Sequence, residues 1–503
     1  MTSQQRIVVN TAAQYTRTII NVCLSLYSTR LILAALGHSD FGIYSVVAGV
    51  VAMLSFMTNA LVSTTQRYLS YNQGKQNPEQ VYQVFGNSML LHIVIGIGLL
   101  VILSALAYPI VYKLLAIDSE RQVAALAVYF AAAVILLVTF ITAPFRALFI
   151  ARENIVYISV IDVLDGVLKL LIAIFLIHLE SYDRLITYSF MLIGISLFNL
   201  LAFAIYGLAR FSECHLPRWN EWDKQHIQSL SGFAGWTIYG TGCVIARTQG
   251  IAILLNIFCS AIANAAYGIA QQVSGAVAFI SASIINAINP QIMKAEGAGD
   301  RERMIRLAEY ESKYAFLLLA LISIPLIFEM ESILRLWLVD VPPYAVGFCQ
   351  LMLLAAVFDQ LSVGLTSANQ AIGEIRTYTL VFYSFKLTTL FAIWICLLCD
   401  MNPVASLWCY VIIEFLGSFL RLALLKYQAN INVWHFIGNV IGRAIVPTAV
   451  ITMVCYTCVQ LIDSDYRLLY TFTLSVVAGL ITIWLTALEN NEKNVFYNML
   501  KRK

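Results

Sequence analysis

Apolar residues run along this chain in blocks broken by short clusters of charge, glycine and proline. A helix needs about 20 apolar residues to cross the hydrocarbon of a bilayer. About fourteen runs meet that need, roughly at 8–36, 41–65, 84–111, 123–148, 155–178, 185–209, 228–257, 263–290, 312–336, 346–370, 377–398, 405–426, 438–462 and 468–488. The predicted fold class is therefore an all-α polytopic membrane protein. Within the runs, polar residues recur at steps of three or four, which lines them up on one helix face. The first run carries Gln14, Arg17, Asn21, Ser25 and Ser28; the eighth carries Asn264, Tyr267, Gln271, Ser274 and Ser281; the tenth carries Asp359, Ser362, Thr366 and Asn369. On the fifth, Asp162, Asp165 and Lys169 share a face, as do Glu414, Ser418 and Arg421 on the twelfth. Polar groups facing lipid are costly, so stripes of this length in both halves of the chain suggest a shared aqueous cavity.

Composition narrows the class. Hydrophobic residues make up 60% of the 503 and charged residues 12%, with a mean hydropathy of +0.79. A soluble domain carries about twice that charge, so a soluble enzyme, a disordered chain and a nucleic-acid binder are excluded. The net charge of +3 implies no anionic partner by itself. With the N-terminus inside, inner loops and tails hold about 21 of the 31 Lys and Arg and outer loops about 5. That bias predicts both termini in the cytoplasm. The outer loops are all short, which leaves little room for the pocket of an enzyme acting on periplasmic sugars. The N-terminus lacks the pattern of a cleaved signal peptide. Two Cys-x-x-Cys pairs, Cys396/Cys399 and Cys455/Cys458, have no further metal ligands at suitable spacing and read as helix packing. His38, His92, His178, His215, His226 and His435 stand singly near run ends or in loops and read as interfacial.

The longest inner connection, near 210–227, holds Pro217, Trp219 and Trp222 and marks a linker between two halves. The expected organisation is an N-lobe at 1–210, a linker at 211–227, a C-lobe at 228–430, two further spans at 431–490 and a basic cytoplasmic tail at 491–503. The halves look like copies: Tyr44 pairs with Tyr267, Gly74 with Gly297, Tyr157 with Tyr378 and Pro109 with Pro325, at offsets of roughly 216–223 residues. A repeat of six spans is parallel, and transporters built this way hold substrate between the repeats. Pro109, Pro144, Pro325 and Pro447 are placed to kink or end helices.

Charges inside the runs carry the candidate chemistry. Arg17 and Arg247 have no acidic neighbour one turn away and are candidates to grip an anion through two parallel hydrogen bonds. Asp165 and Lys169, spaced i,i+4, are able to pair along one helix. Asp359 is a candidate proton or cation site. The candidate substrate residues are Arg17, Arg247, Lys386, Asn21 and Gln271, and the coupling candidates are Asp359, Asp162 and Asp165.

The segments Asn10-Thr-Ala-Ala-Gln-Tyr-Thr-Arg17, Leu26-Tyr-Ser-Thr-Arg30, Asp40-Phe-Gly-Ile-Tyr44 and Thr65-Gln-Arg67 open the chain, and Phe233-Ala-Gly-Trp236, Ala263-Asn-Ala-Ala-Tyr-Gly268, Asn289-Pro-Gln291 and Leu336-Trp-Leu follow in the second half. In this order they resemble the bacterial polysaccharide-transporter flippases, in the form common in gut Bacteroidetes. These belong to the multidrug/oligosaccharidyl-lipid/polysaccharide (MOP) exporter superfamily, which also holds the multidrug and toxin extrusion (MATE) exporters. The resemblance implies two six-helix lobes around a cavity plus two C-terminal helices. It also implies transport, without enzymatic chemistry, of an undecaprenyl-diphosphate-linked oligosaccharide to the outer leaflet of the bacterial inner membrane by alternating access, for surface polysaccharide or lipopolysaccharide assembly. Arg17, Arg247 and Lys386 would meet the lipid diphosphate. The implied partners are membrane lipid, lipid-linked oligosaccharide and polysaccharide assembly proteins, with no nucleic acid, for a chain acting as a monomer. No cofactor is implied beyond coupling to H⁺ or Na⁺. A MATE-type cation-coupled multidrug exporter is the alternative, and a membrane glycosyl-polymerase or ligase is disfavoured by the short outer loops.

Overall fold

The computed structural model describes residues 3–52, 54–114, 117–179, 182–217, 221–259, 261–338, 341–464, 466–489 and 492–493. Among them every regular element is helical. The chain divides into two compact units, one of Val8–Ile238 and one of Tyr239–Lys503 with Met1–Ile7.

The first unit holds α1 (Ser3–Ala52), α2 (Ser55–Gly74), α3 (Pro78–Tyr108), α4 (Gln122–Ala151), α5 (Ile155–Ile177) and α6 (Arg184–Arg210), and the start of α7 (Lys224–Phe258). Two apolar runs predicted at 8–36 and 41–65 meet inside α1, where Gly37 takes φ 75° and ψ 173° and breaks the helix. A side chain at this φ would be strained, so glycine suits the joint between them. Pro109 closes α3 and Pro144 lies inside α4. The core between α3, α4 and α6 includes Phe85, Phe145, Phe149 and Phe203, with the Tyr157 ring stacked against both Phe149 and Tyr206. At the start of α6 the Asp183 carboxylate caps the helix by accepting from the Ile186 N–H at 3.0 Å. It also takes a 2.6 Å hydrogen bond from Arg121, whose guanidinium reaches Asp40 as well.

The expected linker folds back onto α3. His215 stacks on Tyr82 with centroids 3.7 Å apart, its Nε2 lies 2.8 Å from Glu221 Oε2, and the Asp223 N–H donates to Asn87 at 2.8 Å. Gly86 leaves room for this, since a Cβ there would stand 2.6 Å from the Glu221 carboxylate. The boundary between units thus falls later than 211–227, inside α7; Trp219 lies outside the described residues. One histidine departs from its interfacial reading. His92 is fully buried with Nδ1 2.6 Å from the Ser88 carbonyl oxygen, because α3 starts at Pro78, ahead of its apolar run, and carries His92 deep into the bundle. The side chain of His38 lies outside the described residues.

The second unit continues α7 and adds α8 (Ala261–Gly297), α9 (Arg301–Phe328), α10 (Met330–Trp337), α11 (Ala345–Gln360), α12 (Val363–Ile372), α13 (Ile375–Leu398), α14 (Pro403–Ser406), α15 (Trp408–Ala429), α16 (Val433–Phe436), α17 (Arg443–Leu461) and α18 (Arg467–Thr482). Its main core joins α8, α9 and α11 through Tyr267, Leu319, Phe348 and Leu353. The predicted tenth span is broken: α11 and α12 meet at a 45° bend. Pro325 and Pro447 lie inside α9 and α17. The pair α17–α18, expected as a separate piece, groups with this unit. Glu492 is buried against α9, accepting from Lys313 Nζ at 2.7 Å and Tyr314 OH at 2.6 Å; the rest of the expected tail lies outside the described residues.

By length and composition, 11 of the described helices are able to cross a membrane, or 12 with the bent pair. Two of the fourteen expected spans fall short for identifiable reasons. The helix α5 forms as expected but carries three charges, and the run at 41–65 is shared between the end of α1 and the start of α2. The protein is a multi-pass, all-helical membrane protein.

Candidate functional site

In the first unit, α1, α4, α5 and α6 enclose a cavity of about 660 Å³. Its polar wall is the stripe expected on α1, where Asn21, Ser25 and Ser28 face Asp165 and Lys169 of α5 and Asn199 of α6. Asn199 Nδ2 donates to Asp165 Oδ1 at 2.7 Å, and Lys169 Nζ lies 2.7 Å from Asp165 Oδ2, so the i,i+4 pair forms. The Asn21 and Asn199 Oδ1 atoms and the Ser28 hydroxyl are buried without hydrogen-bond partners among the described residues. One turn earlier on α5, Asp162 accepts from Arg17 Nη1 at 2.5 Å and from both terminal nitrogens of Arg146 at 2.8 and 3.0 Å. Arg17 has no acid one turn away along its own helix, yet an acid reaches it from α5. Lys169 is the loosely held cation here, with 47% of its side chain exposed against 21% for Arg17.

The second unit builds its own ion cluster where α11 breaks. Two carbonyls at the bend are held by α15: Ser418 Oγ donates to Phe358 O and Arg421 Nη1 to Asp359 O, each at 2.6 Å. Arg421 Nη2 also donates to Asp359 Oδ1 at 2.9 Å. Lys386 of α13 donates to the same oxygen at 2.8 Å and lies 2.9 Å from Glu414 Oε2. Arg247 of α7 donates to Glu414 Oε1 at 2.6 Å and to the Tyr410 hydroxyl at 2.9 Å, with its guanidinium 4.4 Å from the Tyr410 ring centroid. The side chains of Arg247, Glu414 and Arg421 are at most 5% exposed. Ions removed this far from water persist only when paired, and here each carboxylate meets two cations.

Arg247, Lys386 and Asp359 thus converge on one cluster, while Arg17, Asp162, Asp165 and Asn21 gather in the first unit. Gln271 is half-buried on α8 and, among the described residues, receives none of the cluster's hydrogen bonds. Sequence reasoning missed Arg146, Tyr410 and Asn199 as members. Arg146 stands two residues from the end of its apolar run and reads as a loop charge, and Tyr410 and Asn199 belong to no stripe. The stripe Glu414–Ser418–Arg421 was the signal for α15.

Solved structures share this arrangement of helices over most of the chain. An outward-facing multidrug resistance MATE family transporter of the MOP superfamily aligns with a TM-score of 0.72 at 11% identity, covering 87% of this chain and 97% of that one. A MOP superfamily transporter from Pyrococcus furiosus, described as having a binding pocket of reverse polarity, gives 0.71 at 11%, covering 85% and 96%. The fold is a MATE-type transporter fold. The MATE transporter ClbM in complex with Rb⁺ adds 0.71 at 14%, covering 84% and 95%. No family model and no curated protein matches the sequence. The MATE-type fold bears out the predicted class, an all-α polytopic membrane protein.

Proposed function

We propose that the chain is a MOP-type exporter of an anionic amphiphile, an undecaprenyl-diphosphate-linked oligosaccharide, moved by alternating access from the cytoplasmic to the outer leaflet of a bacterial inner membrane for surface polysaccharide assembly. The observation that carries this reading is the charge balance. Among the described residues, each unit's polar cluster holds three cations for two carboxylates: Arg17, Arg146 and Lys169 against Asp162 and Asp165, and Arg247, Lys386 and Arg421 against Asp359 and Glu414. Removed from bulk water, such an excess favours an anionic ligand over a cationic one. The cavity-lining Lys169 is the cation most able to leave its partner and meet a phosphate, a role that the family resemblance gives to Arg17, Arg247 and Lys386. In this reading Asp165 is the coupling carboxylate for H⁺ or Na⁺, since Asp162 and Asp359 are each held by two cations. The transporter works as a monomer with both termini in the cytoplasm and hands its product to assembly proteins.

A second reading, a cation-coupled multidrug exporter, is favoured by one feature: Asp165 lines a cavity whose other walls are largely apolar, such as Ile32, Phe41 and Leu192. Binding separates the two. Purified protein in detergent should be stabilised by undecaprenyl diphosphate far more than by the neutral polyprenol, with Lys169→Met weakening the effect and a cationic dye producing none. Stabilisation by the dye and indifference to the diphosphate would favour the second reading.

A further inference from the structure

The cysteines of α13 and α15 approach one another across the two helices, not along one of them. Cys396 stands three residues from Cys399, yet its sulfur lies 3.6 Å from that of Cys409, across the turn that holds α14. Both are half-buried, while Cys399 is exposed. A disulfide bond is about 2.05 Å long, so side-chain rotation at the two ends of a helical hairpin must close roughly 1.5 Å. On the orientation read from the Lys/Arg bias, the turn at 399–407 lies on the outer side of the membrane, where disulfides form and persist. The chain on either side of the turn carries the buried ions: Lys386 is ten residues before Cys396, and Glu414 is five after Cys409. These are about 15 and 7.5 Å along their helices.

We propose that Cys396 and Cys409 form a disulfide that staples α13 to α15 and fixes the spacing of the helices bearing Lys386 and Glu414. The oxidant is a protein disulfide of the thiol oxidoreductase class. One thiolate of the pair attacks that disulfide and forms a mixed disulfide, releasing the first of the oxidant's thiols. The second cysteine, having lost its proton, attacks the mixed disulfide and releases the other thiol. Two electrons and two protons pass from the cysteine pair to the oxidant, and one S–S bond is exchanged for another. The orientation enters the argument, but the choice of substrate does not.

The test is to quench membranes containing the full-length protein with an alkylating agent in acid, then map thiols by peptide mass spectrometry. The expected result is a cross-linked pair of peptides holding Cys396 and Cys409, a mass 2 Da below the fully reduced chain, and two thiols fewer labelled than the ten of the sequence. Reduction should lower the melting temperature of the purified protein by at least about 2 °C. The Cys396→Ser/Cys409→Ser variant should melt like the reduced protein and ignore reductant. Ten labelled thiols, or a cross-link between any other pair, would overturn the staple.

Discussion

Lys386 Nζ and Asp359 Oδ1, on neighbouring helices, lie 2.8 Å apart beside the break between α11 and α12. Neither is alone: Lys386 is shared with Glu414 and Asp359 with Arg421. The bond therefore links the bent span to α13 and α15 as one unit. Losing Lys386 leaves each carboxylate with one cation in place of two, and losing Asp359 takes from Arg421 the carboxylate it pairs with. Lys386→Met and Asp359→Asn should each lower the melting temperature, and the double variant should lose less than the sum of the two. Additive losses across the four proteins of that double-mutant cycle, read by thermal unfolding in detergent, would mean that the two side chains do not interact.

Arg247→Ala is expected to act first on stability. It strips the Glu414 carboxylate, itself 4% exposed, of the closer of its two cations, and breaking a buried pair costs about 3–5 kcal/mol. Arg247→Lys should recover part of this, since Lys keeps the charge without the second hydrogen bond that reaches Tyr410. The amount of monodisperse protein on size-exclusion chromatography measures both.

Gly364 is where α12 meets the backbone of α9. A Cβ there would stand 2.0 Å from the carbonyl oxygen of Ala308, and the Gly364 N–H already donates to Ser312 Oγ at 3.0 Å. Gly364→Ala must push two helices apart, at a cost of about 3 kcal/mol or more. Gly98→Ala, with nothing within 4 Å of the added carbon, is the control and should be neutral or mildly stabilising. Melting temperatures of the two variants compare them directly.

Asp183 gives the fold a pH dependence outside the spans. Burial alone would raise its pKa, but the Ile186 N–H and the Arg121 guanidinium outweigh that and hold the carboxyl below its usual range. A depressed folded-state pKa stabilises the fold above the ordinary carboxylate value, near 4, and that stabilisation is lost as pH falls through the lowered value. Asp183→Asn should thus melt about 1–3 °C below the wild type at pH 7, a gap that closes toward pH 3. A gap independent of pH would mean that the charge of Asp183 is not involved.

Helix periodicity made the fold class legible because lipid penalises every unpaired polar group, which leaves long apolar runs with polar faces. The stripes of α1, α5 and α15 were legible for the same reason. Their partners were not. Arg17 meets Asp162, and Arg247 meets Glu414, from positions 145 and 167 residues away, which no spacing along a helix encodes. Nor did hydropathy reveal the bend after Gln360, where a short polar stretch in an apolar run looks like one more stripe until the carbonyls of Phe358 and Asp359 meet Ser418 and Arg421. Lys386 and Asp359 were legible as opposite charges on adjacent predicted spans, and their pairing is seen only in the structure.

The most direct measurement of the central claim is reconstitution into liposomes with a fluorescent undecaprenyl-diphosphate oligosaccharide, reading the fraction that becomes accessible to a quencher on the far leaflet. The account predicts protein-dependent translocation of the oligosaccharide, reduced at least about tenfold in Lys169→Met, and no transport of a cationic dye in parallel vesicles. Dye transport with the lipid-linked oligosaccharide left in its original leaflet would contradict it.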